Sequence, residues 1–151
     1  LLCTNTMHKV APMIEARCAL PLLHIADATG AAIRAAGLRR VALLGTRFTM
    51  REDFYRARLH ERFGLTIEVP DEATQAEIDR VIFDELCRGR IEEASRALYR
   101  EACASLLDRG CEGVILGCTE IGLLLQPEHV PAPLFDTAAL HVDAALAWAL
   151  A

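Results

Sequence analysis

The chain has no cluster of basic residues, no C-x-x-C pair, no H-x-x-x-H spacing, a single lysine, and no long apolar run. Each absence removes a class of function. The 16 Lys and Arg residues are outnumbered by 21 Asp and Glu, for a formal net charge of -5, and Arg39-Arg40 is the only adjacent basic pair. Nucleic acids and acidic membrane surfaces are gripped by basic patches, so neither is expected as a partner. No apolar run approaches the ~18 residues needed to span a bilayer, which argues against integral insertion. The five histidines (8, 24, 60, 129 and 141) and six cysteines (3, 18, 87, 103, 111 and 118) lack metal-ligand spacing, so no metal is expected. No secretory pattern precedes the cysteines, and a reducing cytoplasm is the expected setting. Lys9 is the one residue able to hold pyridoxal phosphate as a Schiff base, and no phosphate-binding glycine loop accompanies it, so no cofactor is expected.

What the chain does contain is apolar material for a core: 53% of its 151 residues are hydrophobic and 25% are charged. It is organised around Gly113-Val114-Ile115-Leu116-Gly117-Cys118-Thr119-Glu120-Ile121. Three aliphatic residues between glycines read as a strand buried on both faces. Cys118 then falls at that strand's carboxyl end, before a helical run through Ile121, Leu124 and Leu125. Free N-H groups and the helix dipole favour a thiolate at such a place. Leu1-Leu2-Cys3-Thr4-Asn5-Thr6 repeats the arrangement, with a helix expected from Thr6 to Arg17. Two Cys-Thr dipeptides at strand-to-helix switches, 115 positions apart, are the main functional signal.

Between them the pattern alternates. Strands are expected at Pro21–Ile25, Val41–Leu44, Leu65–Val69 and Leu134–Phe135. Helices are expected after N-caps at Asp27, Thr49, Thr74 and Asp136, with a long one over Ile91–Arg109. Such alternation predicts an α/β fold with parallel sheet. Ligands of these folds bind beyond the carboxyl ends of strands, where Cys3, His24, Thr46, Cys118 and Asp136 are expected to gather. The paired Cys-Thr elements suggest two similar lobes facing one cleft. Cys18, Cys87, Cys103 and Cys111 read as small buried hydrophobes.

Two thiols on opposite sides of an α-carbon perform one demanding reaction without a cofactor. One thiolate removes the α-proton and the other thiol returns a proton to the far face, inverting the centre. Cys3-Thr4-Asn5-Thr6-Met7-His8 and Gly117-Cys118-Thr119-Glu120-Ile121 resemble the two signature motifs of the aspartate/glutamate racemase superfamily. The Pro21–Thr29 and Leu43–Met50 stretches are similar to its aspartate and broad-specificity amino-acid racemase branch, as is Glu120 in place of the histidine of glutamate racemases. The resemblance implies two parallel-sheet, flavodoxin-like lobes with the active site between them. Residues 39–127 would form the second lobe, and 1–38 with 128–151 an incomplete first lobe, because family members carry further strand-helix units before the first cysteine. It implies Cys3 and Cys118 as the catalytic pair, and Thr4, Asn5, Thr6, Thr46, Thr119 and Glu120 as substrate-binding residues. A small amino-acid substrate, no cofactor, and a homodimer complete the expectation. The alternatives are a related isomerase, such as a hydantoin racemase or maleate isomerase, or a catalytically silent fragment.

Overall fold

The computed structural model describes all 151 residues. Its centre is one parallel sheet of four strands in the order β2-β1-β3-β4, where β1 is Arg40–Gly45, β2 is Thr66–Glu68, β3 is Val114–Gly117 and β4 is Leu134–Asp136. The two inner strands are aliphatic and lie almost wholly out of water. Strands covered on both faces carry such continuous apolar runs. β4, from the 128–151 segment, thus completes a sheet built mainly from 39–127.

Eight α-helices accompany the sheet: α1 (Ala11–Glu15), α2 (Ile25–Ala35), α3 (Arg47–Arg51), α4 (Asp53–Phe63), α5 (Glu72–Asp84), α6 (Glu93–Asp108), α7 (Ile121–Leu124) and α8 (Thr137–Ala149). None is long and apolar enough to cross a membrane. α2 packs on α4 and α8, while α5 and α6 pack on each other and on β1. The core contains Leu43, Leu44, Ile115, Leu116, Tyr55 and Tyr99. Removing the Leu43 side chain, fully buried on β1, leaves a cavity that the close-packed sheet cannot refill. Leu43→Ala is expected to cost about 2–5 kcal/mol, read from the urea midpoint at unchanged m-value.

Several expected elements take a different form. Leu1-Leu2 and Pro21–Ile25 are not strands. Pro21 has no N-H for a ladder, and Leu23 O instead accepts a hydrogen bond from His141 Nε2 of α8 at 2.8 Å. Ile25 already belongs to α2, whose N-cap is His24 rather than Asp27; His24 Nδ1 accepts from Ala26 N at 3.2 Å. Asp27 lies in the first turn and pairs with Arg58 and Arg62 of α4. The single helix expected over Thr6–Arg17 is a 3-10 turn, Thr6–Val10, followed by α1. α3 is capped by Thr46 and α5 by Asp71, each earlier than the Thr49 and Thr74 boxes suggest.

The strand order sets the location of the site. From β1 the chain leaves toward β2 on one side, whereas β3 and β4 lie on the other, so a crevice opens beyond the carboxyl ends of β1 and β3. Gly45 and Gly117 are register partners there. A Cβ on Gly117 would stand 2.7 Å from Leu43 Cδ1 and 2.9 Å from Leu44 O, and one on Gly45 would stand 3.0 Å from Gly117 O. The glycines let the strand ends approach closely, and Thr46 and Cys118 follow directly.

Candidate active site

A cleft of about 280 Å³ occupies this crevice. All eight residues singled out in the sequence line it: Cys3, Thr4, Asn5, Thr6, Thr46, Cys118, Thr119 and Glu120. Cys3 is exposed and Cys118 half-buried.

The Cys3–Thr6 loop is held against the sheet ends by three sets of contacts. Thr6 Oγ1 lies 3.3 Å from both Thr46 Oγ1 and Thr49 Oγ1, which are 3.2 Å apart, giving a triangle of hydroxyls. Asn5 Nδ2 donates to Thr137 Oγ1 at 3.0 Å, and that hydroxyl donates to Leu116 O at 2.8 Å. The Thr137 hydrogen is committed to a carbonyl, so its lone pair must receive the Asn5 NH₂. Asn5 Oδ1 is left as a buried acceptor without a partner. Finally, His8 Nε2 accepts from Ile25 N at 3.2 Å, which puts the proton on Nδ1, and Nδ1 donates to Thr4 O at 2.7 Å.

Cys118 sits in a different environment from the one its position suggests. α7 has only four residues, so its dipole is slight, and its N-cap is Glu120. Cys118 Sγ donates to Glu120 Oε2 at 3.0 Å, and Thr119 Oγ1 donates to the same oxygen at 2.7 Å. Burial pushes the thiol up strongly, and the hydrogen bond to Glu120 and its charge push the same way. Burial also opposes the Glu120 carboxylate, but hydrogen bonds from Cys118 and Thr119 outweigh it and lower its pKa. At rest, then, Cys118 is a protonated thiol beside an ionised acceptor. Glu120→Gln is expected to move Cys118 alkylation by iodoacetamide to lower pH by at least ~1 unit, because the competing charge is gone. Peptide mass spectrometry across a pH series reads this directly.

Two residues expected near the site stand apart from it. Asp136 does not line the cleft; its Oδ1 caps α8 by accepting from Ala138 N and Ala139 N. His24 lies behind the loop against His8, ring centroids 4.3 Å apart, with His141 on the other side of His8 at 5.7 Å. Conversely, Ile82, Phe83 and Cys87 line the cleft. The helical stripe through Ile78, Val81 and Ile82 reads as core packing, and Cys87 as a buried hydrophobe, so sequence reasoning missed this wall. Its available signal is Phe83, which falls beside that stripe just before the break at Arg88-Gly89. Cys18 is likewise exposed, whereas Cys103 and Cys111 are buried as expected. No group of three or more His, Cys, Asp or Glu side chains is arranged to hold a metal ion.

A parallel α/β sheet with two Cys-Thr segments lining the crevice beyond its strand ends defines a recognisable class. The Asp/Glu/Hydantoin racemase family model matches residues 1–145, and the chain belongs to that family. A crystal structure of a chain from Yersinia pestis shares 50% identity and superposes with a TM-score of 0.94, over 99% of this chain and 65% of that one. An aspartate racemase homologue from Pyrococcus horikoshii OT3 shares 35% identity with a TM-score of 0.88, over 98% of this chain and 65% of that one. A glutamate racemase from Pseudomonas paraeruginosa is 29% identical over 146 residues, covering 95% of this chain and 52% of the relative. The chain therefore spans about 65% of the length of the two solved relatives and about half of the curated racemase.

Proposed function

We propose that the cleft racemises a small free amino acid without a cofactor, with Cys3 and Cys118 as the acid/base pair. The observation that carries this reading is that two cysteines 115 positions apart line one cleft, one of them beside a carboxylate able to take its proton. In one direction the Cys118 thiol proton passes to Glu120, and the thiolate removes the α-proton. The Cys3 thiol then donates to the opposite face of the carbanion. Cys3 regains a proton and Glu120 releases one through solvent, so the proton count closes. In the other direction the cysteines exchange roles. Hydroxyls of Thr4, Thr6, Thr46 and Thr119 suit the substrate carboxylate, whose charge grows as the proton leaves. A homodimer in the cytoplasm accompanies this reading.

The test is to incubate the protein with single amino acids in heavy water and follow Cα deuteration by NMR and enantiomer composition by chiral chromatography. Deuterium at Cα together with the opposite enantiomer is the expected result. No deuteration of any amino acid removes the racemase reading in favour of a silent fragment. Turnover of hydantoins or maleate alone moves it to a related isomerase.

A further inference from the structure

The cleft lining is of two kinds. Part of it carries the hydroxyls of Thr4, Thr6, Thr46 and Thr119, and part is the apolar wall of Ile82, Phe83 and Cys87, from the end of α5 and the turn after it. Phe83 is 49% exposed, although its neighbours Val81 and Ile82 on α5 are buried. An aromatic ring half open to water inside a cleft is apolar surface that a ligand can cover. Of the side chains lining the cleft, only Glu120 belongs to the acidic or basic residues, and its charge is negative. The volume of about 280 Å³ stands at the small end of ligand clefts, in keeping with a single amino acid.

We infer that this cleft selects amino acids with an uncharged aliphatic side chain over dicarboxylic ones, with Phe83 as the residue that sets the preference. The inference rests on the racemase reading above and narrows its substrate. The hydroxyl side orients the ammonium and carboxylate that every amino acid shares. The remaining side chain then lies along the ring of Phe83 and beside Cys87, where methylenes leave water and a second carboxylate would lose solvation beside Glu120. Preference thus arises from both an apolar attraction and a like-charge repulsion.

The experiment compares leucine, alanine and aspartate by Cα deuteration and by calorimetric binding, in the native chain and in Phe83→Ala. Leucine is expected to exceed aspartate by at least ~10-fold in kcat/KM, the scale that apolar pocket contacts supply. Phe83→Ala is expected to lower the leucine-to-alanine ratio by about the same factor, mainly through KM, with circular dichroism confirming the fold. Aspartate equal to or better than leucine overturns the inference, as does an unchanged leucine-to-alanine ratio. If no amino acid is deuterated, the racemase reading falls and calorimetry judges the cleft alone. Leucine binding without aspartate binding upholds the selectivity, and the absence of both overturns it.

Discussion

Cys3→Ser and Cys118→Ser are each expected to lower racemisation by about 10²–10⁴-fold, the span that a positioned proton-transfer group contributes. They are also expected to differ from one another in a way a structural defect cannot imitate. With one sulfur gone, the other still reaches the α-carbon from its own face. Each variant should therefore wash deuterium into one enantiomer without inverting it, and the two variants should choose opposite enantiomers. Serine keeps the size of cysteine within one atom, but its hydroxyl is far less acidic, so the change removes the base while sparing the cleft. NMR exchange on separately supplied L and D substrates gives the answer. Equal loss toward both enantiomers in both variants would point to collapse of the site. Retention of native rates in either variant would remove that cysteine from the mechanism.

Cysteine position and cysteine environment were legible to different degrees. Gly113–Gly117 could be read as a buried strand because three consecutive aliphatic residues between glycines have few alternatives, and β3 occupies Val114–Gly117. Asp136 was readable as a cap because its carboxylate stands immediately before a long apolar helix, and it does cap α8. Sheet membership was less readable, because it depends on a partner elsewhere in the chain. Pro21–Ile25 has strand-like residues, yet no neighbouring strand receives it; Leu23 O accepts from His141 of α8 and Ile25 N donates to His8 instead. The charge on Cys118 was misread for a related reason. Position at a strand end argues for a thiolate, whereas the carboxylate two residues later, folded back to 3.0 Å, argues for a thiol. Burial of the thiol is the larger influence and acts in the same direction, and together with the adjacent full charge it prevails over the partial charge of a four-residue helix.

The apolar wall of the cleft shows the same limit. A helix end that lines a ligand cleft and a helix end that covers core share one apolar pattern, and only the strand order reveals that α5 ends beside the crevice. The three-histidine cluster was equally hidden, since His8, His24 and His141 come from three separate segments. Its position matters for the site, because His8 holds the Thr4 carbonyl and so links the buried cluster to the loop that carries Cys3.

Acid is expected to unfold this protein well before its carboxylates are all neutral, beginning at that histidine cluster. His24 is almost wholly buried; lost hydration first, and then the nearby Arg58 charge, push its pKa down to about 3 from 6.5, with Asp27 only partly offsetting them. His8 is lowered in the same direction, again chiefly by burial. The groups facing them are Arg58 and Arg62 of α4, Asp27 of α2, and His141 of α8. In the unfolded chain an imidazole takes its proton near 6.5, whereas folded His24 resists until about 3. Between those values the unfolded state binds more protons, so stability falls as pH falls, by about 1.4 kcal/mol per unit for each such histidine. From pH 7 to 4.5 His24 alone removes roughly 2–3 kcal/mol, which in a domain of this size lowers Tm by about 5–10 °C. Asp27, whose pKa is held down by Arg58 and Arg62 against the cost of burial, adds a further loss below the normal carboxylate range. His24→Asn separates these contributions, because asparagine can still cap α2 but does not titrate. Its Tm should fall less steeply between pH 7 and 4.5, by the equivalent of one proton. An unchanged slope would assign the acid lability to His8 or the carboxylates.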